Sequence, residues 1–299
     1  MKNRYKSILA LGAVGALALS GCAASTDEVP TVGNGNDDQK AITIAVFNGW
    51  DEGIATSELW KAILDEKGYT AELEYADVAP VFSGLSSGDY DFTLDVWAPS
   101  THANFIKEYG ADLTDLGSWN DEASLTIAVN EDAPIDSLTE LAANADLFGN
   151  RIVGIEPGAG LTAAVTDKVI PTYGLEDMEF LTSSTAAMLT ELTAATSAGE
   201  NIVVTLWQPH WVYSSIGLKN LTDPEGTLGD AEGLHAYGKG TMEADYPQAA
   251  KWLSNFTMDL DQLGSLENAM FVEYDGNDFG PIVAKWIEDN QDYVDSLTS

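Results

Sequence analysis

Trp207, His210 and Trp211 follow a short β-branched run, residues 201–206, that reads as a buried strand. Pro209 can neither donate to a strand ladder nor continue a helix, so the strand ends there. The three side chains therefore stand at a strand's carboxyl end, the edge where open α/β sheets bind ligands. Trp50 and Trp97 take the same position after two earlier apolar runs, 41–47 and 92–97. Gly158, Ala159, Gly160 and Leu161 open a helix, which bares backbone N–H groups with the positive end of its dipole behind them. Indole faces attract a diffuse cation at about 0.5–2 kcal/mol per contact. A quaternary ammonium suits them best, because it has methyl groups to pack and no N–H to satisfy. The amides and the His210 ring suit a carboxylate, through charge-assisted hydrogen bonds. A ligand with both ends is a small betaine. A dry aromatic cage needs no acid of its own: it excludes hydrated metal ions, and salt does not screen it as it would an open acidic cleft.

The elements that must position these residues are of the alternating α/β kind. A strand at 41–47, a helix at 54–66 stopped by Gly68, a strand at 71–75, a short helix at 79–86 and a strand at 92–97 give a parallel sheet with crossover helices. Leu59, Trp60, Ile63 and Leu64 share one helix face, so Trp60 belongs to the core. A helix at 103–109 precedes an apolar strand at 125–129 that leaves the first lobe. The second lobe, 131–233, carries helices at 135–147, from the glycine seat to about 170, and at 185–198. The first lobe, 41–130, resumes at 234–299 with helices at 246–256, 259–270 and 282–297. The expected architecture is two α/β lobes, the second inserted into the first, with a ligand cleft between them.

Thirteen basic residues stand against 48 acidic ones, spread along the chain. Such a field repels nucleic acid and anionic lipid surfaces, which excludes both as partners. With 45% hydrophobic residues the chain can pack a core. Residues 1–21 read as an export signal: Lys2, Arg4 and Lys6 precede an apolar run too short to span a bilayer. The run ends at Cys22, the single cysteine of the chain, in a setting that resembles the bacterial lipobox. Cys22 is the expected lipidation site, residues 22–40 a flexible leash, and the outer face of the cell membrane the expected location.

Enzymatic signatures are missing. The three histidines, His102, His210 and His235, have no metal-ligand spacing, and there is no Gly-x-Ser-x-Gly elbow, Cys–His pair or P-loop. No cofactor or metal is implied. A secreted hydrolase using scattered carboxylates is the alternative from another class.

The segments 48–53, 94–102, 154–160 and 203–211 together resemble the glycine-betaine-binding proteins of osmoprotectant ABC importers, and the likeness runs from about Ile42 to the C-terminus. The resemblance implies a type II-like periplasmic-binding-protein fold with two crossover strands. It implies that Trp50, Trp97 and Trp207 box the trimethylammonium, and that the N–H groups of Gly160 and Leu161 with the His210 ring hold the carboxylate. Trp211 and His102 are then supports. The implied partners are a membrane permease and its ATPase, with the chain itself a monomer. The same fold binding choline or carnitine remains open; the seat and His210 favour a betaine, since choline has no carboxylate.

Overall fold

The structure, a computed structural model, describes residues 40–299. The expected export signal, Cys22 and the leash as far as residue 39 lie outside the described residues. Strand β1 (Ala41–Phe47) leads into helix α1 (Asp51–Glu66), β2 (Thr70–Ala76), α2 (Val78–Ser87) and β3 (Phe92–Ala98). β1 pairs in parallel with β2 from Ala41↔Thr70 to Phe47↔Ala76, and with β3 at Ile44↔Phe92. All seven residues of β3 are buried, which makes it a central strand of the core. Gly68 ends α1 with φ +86 and its N–H on the Asp65 carbonyl, a conformation that glycine adopts without strain.

Two expectations about element length are corrected. α1 starts at Asp51, three residues before the expected 54, directly on Trp50. Asp51 and Glu52 sit in its first turn, where carboxylates suit the helix dipole, and both are buried. The strand expected at 125–129 is the end of β4 (Leu113–Asn130), whose first half pairs with β9 (Glu232–Lys239) through three register shifts. Polar residues such as Asp115, Ser118 and Asn120 at those irregularities break the alternation that would reveal a strand.

β4 links the two halves of the molecule. On one side the strand order is β2-β1-β3-β9-β4; on the other β4 is followed by β7 (Val203–Gln208), β5 (Arg151–Val153) and β6 (Glu179–Leu181), with β8 (Leu218–Asn220) also on β4. The chain returns to the first half between β8 and β9.

The helix Thr185–Ala198 matches its expected bounds, with the Ser184 hydroxyl accepting from the Ala187 N–H and Gly199 at φ +67 closing it. Other helices are shorter than expected. The 135–147 segment is a single turn, Leu138–Leu141, followed by 3-10 turns kinked at Asn144, whose side chain donates to the Glu140 carbonyl. The 246–256 segment holds the single helix Pro247–Ser254, preceded by a separate turn at Met242–Asp245, and 282–297 is divided between Gly280–Asp289 and Gln291–Leu297 at Asn290. The 259–270 helix, capped by Asp259, passes from Leu260–Glu267 into a π turn at Asn268–Val272.

Trp60 is fully buried and meets the Phe256 ring edge-on at 5.4 Å, and Phe256 stacks on Trp119. Trp60→Ala is expected to lower unfolding free energy by about 3–5 kcal/mol, the cost of an aromatic-to-alanine cavity. Denaturant titration checks this, and a loss below about 1 kcal/mol would mean the surrounding core collapses into the gap.

Candidate functional site

Three strands end around one cavity. Trp50 follows β1 and serves as the N-cap residue of α1, Trp97 is the penultimate residue of β3, and Trp207 the penultimate residue of β7. Their side chains line one narrow cavity together with Gly160, Leu161 and Glu52. Five of the six ligand residues expected from the sequence therefore share one space: Trp50, Trp97, Trp207, Gly160 and Leu161. They come from opposite halves of the molecule, since β1 and β3 lie on one side of β4 and β7 on the other.

Trp50 and Trp97 are held by their indole N–H groups, while that of Trp207 has no partner. Trp50 donates its indole N–H to Glu156 Oε1 at 2.5 Å, and Glu156 also accepts from the Thr185 hydroxyl at 3.1 Å. The His102 ring stacks on Trp50 with centroids 5.5 Å apart and 10° between planes. His102 Nδ1 accepts the Trp97 backbone N–H at 3.0 Å, so the neutral ring carries its proton on Nε2. Burial pushes the His102 pKa down to about 3. The Trp97 indole donates to Asp95 Oδ1 at 2.9 Å. Trp211 donates to Asp51 Oδ2 at 2.6 Å, tying β7's end to the start of α1. Trp211 stays outside the cavity lining, whereas His102, expected only as a support, lines the cavity itself.

His210 is the exception among the expected ligand residues. It stands against Trp207, edge-on with centroids 4.9 Å apart, and is not among the residues lining the cavity. Its Nδ1 accepts the Val212 N–H at 3.1 Å, which leaves the proton on Nε2. Burial pushes its pKa down to about 3, so the ring is neutral. Nε2 has no hydrogen-bond partner and lies 3.8 Å from Asp51 Oδ2.

Gly160 is the first residue of the helix Gly160–Ala164, with Ala159 as N-cap in extended conformation. The first-turn N–H groups have no carbonyl one turn back to bond, so they remain free for a ligand. The Thr162 hydroxyl donates to the Glu156 carbonyl at 2.8 Å and fixes the loop that precedes them.

Thr101, Leu125, Ile155 and Glu52 line the cavity without having been singled out from the sequence, and Glu52 puts an acid into a site expected to need none. Glu52 is 1% exposed, and neither of its oxygens has a hydrogen-bond partner. Burial pushes its carboxyl up to about 8; the indole N–H groups of Trp207 and Trp97 face it beyond hydrogen-bond geometry and offset only part of that. Asp95 is also raised, first by burial and then by the charge of Glu52. Burial lifts Asp51 to about 6 against the opposing hydrogen bond from Trp211, and lifts Glu267 as well. The available signal was positional: Glu52 lies two residues after a strand-closing tryptophan. Among the described residues no group of three or more His, Cys, Asp or Glu could hold a metal ion, and no helix is long and apolar enough to cross a membrane.

The description "substrate binding domain of ABC-type glycine betaine transport system" matches residues 40–289. The glycine betaine/carnitine transport binding protein GbuC of Listeria monocytogenes is 35% identical over 168 residues, which is 56% of this chain and 54% of that protein. The chain thus spans about half the length of that curated relative. Lactococcal OpuAC, in its closed-liganded conformation complexed with glycine betaine, superposes with a TM-score of 0.80 at 27% identity, covering 87% of this chain and 100% of that one. ProX from Borrelia burgdorferi superposes at 0.81 with 26% identity, covering 87% and 97%. These structures share the mixed-sheet, two-lobed periplasmic-binding-protein fold. With matched residues reaching from β1 to the helix Gly280–Asp289, the chain belongs to the family of substrate-binding domains of ABC-type glycine betaine transport systems.

Proposed function

We propose that the chain captures glycine betaine, and by the same chemistry proline betaine, and delivers it to a membrane permease driven by an ATPase, for osmoprotection. The observation that carries this reading is the meeting of Trp50, Trp97 and Trp207 around one cavity with Gly160 and Leu161 in its wall. The rings surround the trimethylammonium, and the Gly160 and Leu161 N–H groups receive the carboxylate. His210, a neutral ring with an unpartnered Nε2–H beside Trp207, completes the carboxylate site once ligand draws it in. The chain acts as a receptor and not as an enzyme. It works as an exported monomer, lipid-anchored through Cys22, with no nucleic-acid partner.

Titration calorimetry against glycine betaine, proline betaine, carnitine, choline and ectoine tests the assignment. Tightest binding of the two betaines supports it, and heats no larger than dilution for all five would end it. Choline is the second reading, and Glu52 in the cavity wall favours it, because a monocation gains more from a nearby carboxylate than a zwitterion does. His210→Ala separates the two. Loss of a hydrogen bond to a charged group costs about 1.5–3 kcal/mol, so betaine affinity should fall roughly tenfold or more while choline affinity holds. Equal losses for both ligands would remove His210 from the carboxylate site.

A further inference from the structure

The cavity wall holds a feature that a cage for a zwitterion does not need. Glu52 faces the space where the cation would sit, fully buried, with both oxygens unpartnered. The carboxyl of Asp95 lies against the same turn of α1: a Cβ at Gly53, next to Glu52, would stand 2.5 Å from Asp95 Oδ2. Asp51 on α1 and Glu267 on the helix Leu260–Glu267 add two more acids to the surroundings. None of the ion pairs formed among the described residues gives Glu52, Asp95 or Glu267 a lysine or arginine. The other titratable groups nearby are His102 and His210, both neutral with pKa values near 3, and Glu156, hydrogen-bonded to Trp50 and Thr185.

Two carboxyls that share a dry site without a counter-cation cannot both ionise. A zwitterion brings no net charge, so it leaves them as they are. A monocation brings one positive charge into the dry cavity, and the nearest way to balance it is to ionise one carboxyl. We propose that Glu52 is the specificity-determining residue that matches the charge of the cavity to the net charge of the ligand, keeping its proton beside a betaine and surrendering it to solvent beside a monocation such as choline. In the second case the Glu52 O–H bond breaks, the electron pair stays on the carboxylate, and the proton passes to the buffer. This rests on the quaternary-ammonium reading given above.

The consequence is a linkage between pH and ligand preference. The choline complex holds one proton fewer than the betaine complex. Rising pH favours the complex with fewer protons, so the ratio of choline to betaine affinity should rise by about tenfold per pH unit. Because both complexes are compared, the protonation of the empty receptor cancels. The window lies below about 8, where Glu52 still keeps its proton without a monocation. The test is calorimetry on the whole protein with glycine betaine and with choline, at steps from about pH 6 to about pH 8, in two buffers of different ionisation enthalpy. The expected result is the rising ratio, one proton released on choline binding relative to betaine, and a flat ratio in Glu52→Gln. A flat ratio in the unmodified protein overturns the proposal while leaving a betaine receptor intact. Betaine binding without any choline binding overturns it too, as does a ratio that still rises in Glu52→Gln. Failure of both ligands to bind removes the functional reading and this proposal together.

Discussion

Trp97→Ala is expected to abolish measurable glycine betaine binding while leaving the fold intact. The ring is one wall of the cavity, so its removal deletes a cation–π contact worth about 0.5–2 kcal/mol, more when dry. It also admits water to the space where the other two rings meet the methyl groups, which weakens their contribution in turn. Truncated aromatic anchors in desolvated pockets cost about 2–4 kcal/mol, or roughly thirty- to a thousandfold in affinity. A further penalty falls on Asp95, whose Oδ1 accepts the Trp97 indole N–H at 2.9 Å and would lose that donor. Calorimetry reads the affinity and thermal denaturation the fold. Trp97→Phe, which keeps a ring but not the N–H, should fall between the two. If Trp97→Ala binds betaine within about threefold of the unmodified protein, the three-ring cage does not hold the cation. Trp60→Ala makes the opposite pattern, with stability lost and binding retained in whatever fraction stays folded.

The three tryptophans that line the cavity were legible because their signal is local. A β-branched run that stops at Trp207-Gln208-Pro209, or at Trp97-Ala98-Pro99, places an indole at a strand end whatever the rest of the chain does. The glycine seat was legible for the same reason, since 158–161 sits between strand and helix signals. The acids beneath the box were not. In a chain with 48 acidic residues an Asp-Glu pair at a helix start reads as solvated dipole compensation, and only tertiary packing reveals that Asp51 and Glu52 are buried. His210 shows another limit. Its strand-end position suggests a ligand contact but does not reveal that the ring packs against Trp207, outside the cavity lining, with Nδ1 committed to the Val212 N–H. β4 was half-visible: its apolar end, 125–129, was read, while the part paired with β9 is broken by irregularities that no two-residue periodicity survives. The helix breaks at Asn144 and Asn290 follow from side-chain bonds to backbone carbonyls, which compete with the helix at the positions where asparagine occurs.

Gly160→Ala is expected to weaken betaine binding by preventing the two halves from closing, without loss of stability. Gly160 lies in the half that carries β7, yet a Cβ there would stand 2.4 Å from the carbonyl oxygen of Thr101 and 2.6 Å from its Cγ2, after β3 in the other half. Thr101 cannot easily retreat. Its N–H and that of Ser100 donate to Glu232 Oε2 at 3.0 and 2.8 Å, and its hydroxyl donates to the same carboxylate. The first obstacle is backbone, so shortening the Thr101 side chain would not clear it. Within its own helix the change is harmless, because Gly160 begins the helix Gly160–Ala164 with a φ that any residue can adopt, and alanine is the better helix former. The strain therefore falls on the approach of the two halves and not on the helix. Overpacking of this kind costs about 1–3 kcal/mol, so affinity should drop roughly tenfold to a hundredfold while the melting temperature of the ligand-free protein stays level or rises. Small-angle scattering adds the decisive reading: the unmodified protein should contract when glycine betaine is added, because each half alone leaves one end of the zwitterion unpaired, and Gly160→Ala should contract less at the same occupancy. Unchanged affinity and unchanged contraction would mean that the approach of Gly160 to Thr101 is not needed for capture, and that the amide seat receives the carboxylate from further away.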